Sequence, residues 1–135
     1  MIEYLDMAAD IAALTGKHDK RTYLLGAVGI RARDGVLVSA RNGSYQSSAS
    51  NEDFRVVPAS HAENRCLAKM GKAGGILYVA RAKRGVEKIG MARPCAVCQM
   101  FIRNANISMV YYTIDEHYYG SWNPFSDHPD GVYEC

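Results

Sequence analysis

The sequence lacks the long apolar run that a membrane-spanning helix requires. No stretch of its 135 residues approaches about 18 consecutive apolar residues, so no membrane span or membrane partner is expected. The first residues include Glu3 and Asp6, whereas a secretory signal begins with a basic patch followed by an apolar core. We therefore expect a cytoplasmic protein.

The sequence has no large excess of positive or of negative charge. Sixteen Lys and Arg residues are set against fourteen Asp and Glu residues, which gives a formal net charge of +2. Proteins dedicated to nucleic-acid binding usually carry a stronger basic excess. The composition therefore disfavours nucleic acid as a partner.

Cysteine is scarce, with four residues, Cys66, Cys95, Cys98 and Cys135. An even count is compatible with two disulfides. However, a chain of this length with 48% apolar residues buries roughly two thirds of its unfolded surface, so a single domain over 1–135 folds without them. In a reducing compartment, clustered cysteines indicate metal ligands or redox groups.

Helix and strand patterns alternate along the chain. Apolar spacing predicts a helix over 1–15, and residues 22–33 and 36–41 predict an antiparallel hairpin around Asp34-Gly35. The remaining predicted elements are a long loop over 42–60, a helix over 61–70, a strand over 76–82, a loop over 83–93, a helix over 95–104 and a strand over 108–114.

This order predicts the fold class. Strand–helix–strand alternation in the second half predicts a right-handed crossover and a parallel strand pair. We therefore predict an α/β fold with a mixed sheet and helices on both faces. Residues 115–135 are predicted to form an irregular aromatic tail, because Pro124 and Pro129 argue against a long helix there.

Two predicted helices begin with side chains that suit a metal ion. His61 and Glu63 open the first, and Cys95 and Cys98 open the second after Pro94. One imidazole and two thiolates suit zinc, and three protein ligands leave a fourth tetrahedral position open. Bound zinc lowers the pKa of water to roughly 7. Glu63 can then take the proton and hand it to a leaving group.

These residues also have structural interpretations. Cys95 and Cys98 alone are compatible with a redox pair or with half of a structural metal site. Ser60 and Glu63 have the spacing of a capping box, in which Glu63 only bonds the Ser60 backbone. The adjacent His61 favours the catalytic interpretation of Glu63.

The motifs His61-Ala62-Glu63 and Pro94-Cys95-Ala96-Val97-Cys98 resemble the H-x-E…P-C-x-x-C pattern of the zinc-dependent cytidine deaminase superfamily. The resemblance implies that family's three-layer α-β-α fold and one zinc ion per chain, held by His61, Cys95 and Cys98. It also implies a hydrolase in which zinc hydroxide attacks C4 of cytosine, Glu63 shuttles protons and ammonia leaves.

Residues 1–114 are similar to the deoxycytidylate deaminase branch in particular. Gly26-Ala27-Val28-Gly29-Ile30 and Ala40-Arg41-Asn42-Gly43 look like the first two strands of those enzymes. His61 stands where free-nucleoside deaminases usually have Cys. The loop over 43–60 contains no Cys or His, so the second zinc and the triphosphate effector site of many members are not expected.

The resemblance also implies three substrate contacts. The branch uses the asparagine after the second strand to contact the sugar, and Asn42 matches it, although Asn42-Gly43 is also a turn signal. The backbone N–H of Ala62 would face the pyrimidine carbonyl. Tyr111 and Tyr112 point to opposite sides of a strand, and Tyr112 is our candidate to stack on the base, with aromatic core packing as the equal alternative.

The predicted activity is therefore deamination of a free cytosine nucleotide, dCMP to dUMP, in pyrimidine salvage by a homo-oligomer. One alternative is deamination of another small base or nucleoside, such as cytidine, guanine or a modified cytosine. Another is deamination of cytosine or adenine in single-stranded nucleic acid, where Tyr118, Tyr119 and Trp122 could stack bases; packing or a subunit contact is their other interpretation. A zinc-stabilised interaction domain without activity is the non-enzymatic alternative.

Overall fold

The computed structural model describes residues 2–13, 23–41, 61–83 and 89–135. Its helices are α1 (Ile2–Ala13), α2 (Ala62–Met70) and α3 (Ala96–Asn104). Its strands are β1 (Tyr23–Arg31), β2 (Leu37–Arg41), β3 (Gly75–Lys83), β4 (Ile89–Gly90), β5 (Ile107–Thr113), β6 (Tyr118–Trp122) and β7 (Gly131–Glu134). The predicted loop over 42–60 lies outside the described residues. None of the helices described has the length and apolar character needed to cross a bilayer.

The strands form one mixed sheet in the order β2-β1-β3-β5-β6-β7, with β4 paired to the end of β3. β3 and β5 are parallel, whereas β1 is antiparallel to both β2 and β3. This arrangement confirms the predicted mixed sheet with a parallel pair. Since α2 leads into β3 and α3 leads into β5, both helices begin at the sheet edge where those strands end.

Alternate residues of the central strands supply the cores on the two faces of the sheet. Ala27, Leu77 and Val79 pack in one cluster with side chains of α2 and α3. Val28 and Tyr78 pack in the other with side chains of α1. The prediction of helices on both faces is therefore confirmed.

Helix α1 lies unusually close to β1 at Gly26. A Cβ atom at this position would lie 2.7 Å from the backbone nitrogen of Ala12 and closer still to the carbonyl oxygen of Ala8. Only a residue without a side chain permits this approach. The glycine therefore sets the distance at which the first helix packs on the sheet.

The β1–β2 hairpin is longer than the predicted two-residue turn. Its connection runs from 32 to 36, and Gly35 has a φ of 69°. The Asp34 carboxylate accepts hydrogen bonds from the Arg31 guanidinium at 2.6 Å and from the Val36 N–H at 3.1 Å. These side-chain contacts hold the wider turn, so the Asp-Gly signal located the hairpin but not its length.

The prediction of an irregular tail over 115–135 is wrong. β6 extends the sheet beyond β5 and β7 extends it further, both antiparallel. The two strands have five and four residues, too few to show a clear period in the sequence. Pro124 and Pro129 lie in the connection between them, where a missing N–H costs no sheet hydrogen bond.

Candidate metal centre and active site

The first turns of α2 and α3 carry the predicted metal ligands. His61 is the N-cap residue of α2 and Cys95 is the N-cap residue of α3, both with extended backbone. Neither side chain caps its own helix. Cys98 lies in the first turn of α3 and is fully buried.

The structure brings these three side chains into one cluster. The ligand atoms of His61, Cys95 and Cys98 all lie within 4.8 Å of one another, and His61 Nδ1 lies 3.3 Å from Cys98 Sγ. Nitrogen and sulfur ligands of one tetrahedral zinc ion lie roughly 3.5–4 Å apart. All four cysteines are free thiols, so no disulfide joins Cys95 to Cys98.

The chemistry of the cluster fits a zinc ion. Burial raises the pKa of the Cys98 thiol, and the neighbouring Glu63 carboxylate raises it further. A thiolate at Cys98 therefore needs a positive charge beside it. One imidazole and two sulfurs are the donor set that zinc prefers, and as three ligands they leave a position for water or substrate.

The Glu63 carboxylate is buried beside this cluster. Glu63 is only 3% exposed, and among the described residues its Oε1 atom has no hydrogen-bond partner. Burial raises the pKa of the carboxyl, while its own backbone N–H, the Arg81 guanidinium and the Cys98 thiol act to lower it. A buried carboxyl with an unsatisfied oxygen is suited to exchanging protons with a bound molecule.

The capping-box interpretation of Glu63 does not agree with the position of the helix start. With His61 as N-cap, Glu63 is the second residue of α2. A capping box needs the glutamate at the third position, with Ser60 as N-cap. Ser60 itself lies outside the described residues.

The three predicted substrate contacts have different outcomes. Asn42 lies outside the described residues. Ala62 is fully buried at the start of α2, where first-turn N–H groups have no acceptor within the helix. Tyr112 is 3% exposed and packs in the core cluster on the side of α2 and α3. This position favours the core-packing alternative, and a contact between Tyr112 and substrate stays a prediction.

The hydroxyl of Tyr112 forms a hydrogen bond with a side chain to which the sequence analysis gave no role. It donates a hydrogen bond to Asp130 Oδ2 at 2.5 Å. Burial raises the pKa of Tyr112 to about 12, and the bond to Asp130 contributes to the increase. Asp130 also forms an ion pair with Arg93, whose Nε lies 2.7 Å from the same oxygen.

The aromatic residues of the tail do not form a single surface. Trp122 is buried in the core, with the Arg93 and Arg103 guanidinium carbons 5.6 and 5.3 Å from its ring centroid. Tyr119 stacks on Tyr133 instead. The packing interpretation is therefore correct for Trp122.

Sequence reasoning gave no role to Arg93, Asp130 or Arg103. Arg93 and Asp130 are 37 residues apart, and Asp130 lies in the segment predicted to be irregular. No short-range motif links them. The one sequence feature that could have drawn attention to this contact is the position of Arg93 directly before Pro94 and Cys95.

Comparison with protein families gives a match over most of the chain. The family model for the cytidine and deoxycytidylate deaminase zinc-binding region matches residues 2–114, a range that contains the metal cluster and Glu63. Comparison with curated proteins gave no significant match. The agreement between this family and the cluster geometry supports zinc as the metal that His61, Cys95 and Cys98 hold. The chain therefore belongs to the cytidine and deoxycytidylate deaminase zinc-binding family.

Proposed function

We propose that this chain, as a single domain, deaminates a free cytosine nucleotide, converting dCMP and water to dUMP and ammonia. One observation carries the proposal: a buried Glu63 carboxyl with an unpartnered oxygen lies beside the His61, Cys95 and Cys98 cluster. Hydrolysis at a C–N bond needs such a group to move protons.

Activation of water and transfer of its proton fall to different groups of the site. When bound, zinc supplies a Lewis acid that makes water nucleophilic near neutral pH. Glu63 takes a proton at its carboxylate as the C4–O bond forms and returns it to the amino group as the C4–N bond breaks. The burial of Glu63 keeps bulk water from exchanging that proton.

Three features support a nucleotide over a nucleoside or a polymer. His61 occupies the position that is usually Cys in the free-nucleoside branch. The net charge of only +2 disfavours a polyanionic substrate. Arg41 is exposed at the end of β2, directly before Asn42, and offers a cation near the proposed sugar contact.

We assign three substrate contacts within this proposal. The Asn42 side chain contacts the sugar, the Ala62 N–H binds the pyrimidine carbonyl, and the Tyr112 ring stacks on the base. A variant that loses the sugar contact is expected to have a raised KM with a smaller change in kcat. Asn42→Ala measured on dCMP therefore tests the first assignment.

A substrate panel tests the proposed activity. Ammonia release is measured at equal concentrations of dCMP, CMP, deoxycytidine, cytidine, guanine and a cytosine-containing single-stranded oligonucleotide. The proposal requires the highest kcat/KM with dCMP. Preference for cytidine or guanine would establish the small-base alternative, and preference for the oligonucleotide would establish the nucleic-acid alternative. Binding of zinc without turnover of any of them would favour an interaction domain.

We further propose that the chain forms a homo-oligomer in the cytoplasm. Val97, Met100 and Phe101 of α3 are exposed, and exposed apolar side chains on one helix favour association. The four free thiols are compatible with a reducing compartment. Light scattering coupled to size-exclusion chromatography gives the molar mass in solution and so tests the proposed oligomer. A monomeric mass at the concentration used in the activity assay would contradict it.

A further inference from the structure

A short segment after β6 binds both ends of the helix that carries the two cysteines. This segment, residues 123–130, connects β6 to β7, and we call it the strap. Near its end, the Asp130 carboxylate binds the Arg93 guanidinium through Nε at 2.7 Å and Nη2 at 3.3 Å. Near its start, the carbonyl oxygen of Pro124 accepts a hydrogen bond from Arg103 Nε at 3.1 Å.

The two arginines stand at opposite ends of α3. Arg93 lies two residues before Cys95, the N-cap of the helix, and Arg103 lies in its last turn. Both guanidinium groups also lie over the ring of Trp122, which is buried immediately before the strap. Contacts at both ends of a rigid helix fix its position along its own axis, and with it the position of its first turn.

The contact at Asp130 is the more restrictive of the two. An arginine bound through two nitrogens has a defined orientation as well as a defined distance. The Tyr112 hydroxyl donates to the same carboxylate, and Tyr112 is fixed in the core. Asp130 therefore ties the residues just before Cys95 to the rigid strand β5.

We propose that Asp130 is a positioning residue for the metal centre: by holding Arg93 against Tyr112 it fixes the turn that presents Cys95 to the metal. This proposal rests on the zinc site of the proposed function. It predicts that the geometry and retention of the metal depend on a carboxylate that contacts neither the metal nor substrate.

The test compares two variants that remove the same charge from the same segment. Asp130→Asn breaks the ion pair, whereas Asp127→Asn changes an exposed residue of the strap. Zinc release from each protein to a chromogenic chelator is timed, and the visible spectrum of the cobalt-substituted protein reports thiolate coordination. Substitution of residues that orient the metal ligands without binding the metal themselves typically reduces metal affinity about 10–100-fold.

We expect Asp130→Asn to release zinc at least about tenfold faster than wild type and to alter the thiolate-to-cobalt band. Asp127→Asn should behave as wild type, and Asp130→Glu should recover part of the retention. Equal release rates and identical cobalt spectra for Asp130→Asn and Asp127→Asn would overturn the proposal.

A second variant keeps the proposal testable if Asp130→Asn does not fold. Arg93→Lys retains the positive charge but loses the two-nitrogen contact, and it is expected to release zinc faster in the same assay. A lower melting temperature without a change in release rate or cobalt spectrum would show a merely structural role and overturn the proposal. Failure of wild type to bind zinc would remove the proposed function as well, whereas loss of the Asp130 effect alone leaves that function intact.

Discussion

The Nδ1 atom of His61 lies 3.3 Å from the Sγ atom of Cys98, although the two residues are 37 positions apart in the chain. They meet because α2 and α3 both begin at the sheet edge where β3 and β5 end. The first turn of a helix has unpaired N–H groups and the positive end of the dipole. That environment favours negative charge but does not outweigh the burial that raises the pKa of Cys98 and of Glu63, so a thiolate at this point still needs a cation beside it.

Loss of one sulfur ligand should empty the metal centre. Cys98→Ser replaces a thiolate with a hydroxyl that stays protonated near neutral pH and is a poor zinc ligand. After dialysis, we expect zinc per chain to fall about tenfold or more, measured by atomic absorption. Cys135→Ser, which changes an exposed thiol directly after β7, is the matched control and should keep one zinc ion. Full zinc content in the Cys98 variant would contradict the assignment.

Proton transfer should fail when Glu63 can no longer accept a proton. Glu63→Gln keeps the size of the side chain and removes its acid–base function. We expect kcat for ammonia release to fall about 10²–10⁴-fold while zinc content stays at the wild-type level. Glu116→Gln changes an exposed glutamate and should leave kcat unchanged. Wild-type turnover by the Glu63 variant would exclude it as the acid–base group.

The site was largely predictable because its motif residues are close in sequence. His61 with Glu63, and Cys95 with Cys98, lie within single helical turns, so spacing alone placed each pair at a helix start. The chemistry of the donor set then required the two starts to meet. Asp130 could not be found in this way, because its link to Arg93 depends on where β6 and β7 place the chain.

The fold was predicted where patterns are long and missed where they are short. β1 and β3 have nine residues each, and their apolar content marked them clearly. β4, with two residues, lies in a segment predicted to be a loop. It pairs with β3 at Arg81 and Ala82, so tertiary pairing and not local propensity makes it a strand.

The close packing of α1 on the sheet predicts a severe effect of a single methyl group. Gly26→Ala would place a Cβ atom against the backbone of Ala8 and Ala12, which cannot rotate away as a side chain can. We expect a loss of about 3 kcal/mol in the free energy of unfolding, measured by urea denaturation. Gly35→Ala has open space around the new atom but a φ of +69°, and it should lose only about 1 kcal/mol. Equal losses in the two variants would show that α1 shifts to relieve the contact.

The hydrogen bond between Tyr112 and Asp130 predicts a pH dependence in the alkaline range. Burial, together with this bond, raises the pKa of Tyr112 to about 12 in the folded protein, against about 10 in an unfolded chain. As the pH rises above about 10, the unfolded chain loses this proton before the folded protein does. The stability that the hydroxyl contributes is therefore complete below the unfolded pKa and declines as the pH approaches the folded value.

Removal of the hydroxyl should abolish that decline. We expect the stability advantage of wild type over Tyr112→Phe to shrink by roughly 1 kcal/mol between about pH 9 and pH 11, measured by urea unfolding at each pH. Tyr118→Phe, which changes an exposed tyrosine on β6, should decline in parallel with wild type because the buried hydroxyl is still present. A constant difference between wild type and Tyr112→Phe across this range would mean that the Tyr112 hydroxyl is not held protonated by its surroundings, and that β5 is not anchored to the strap through Asp130.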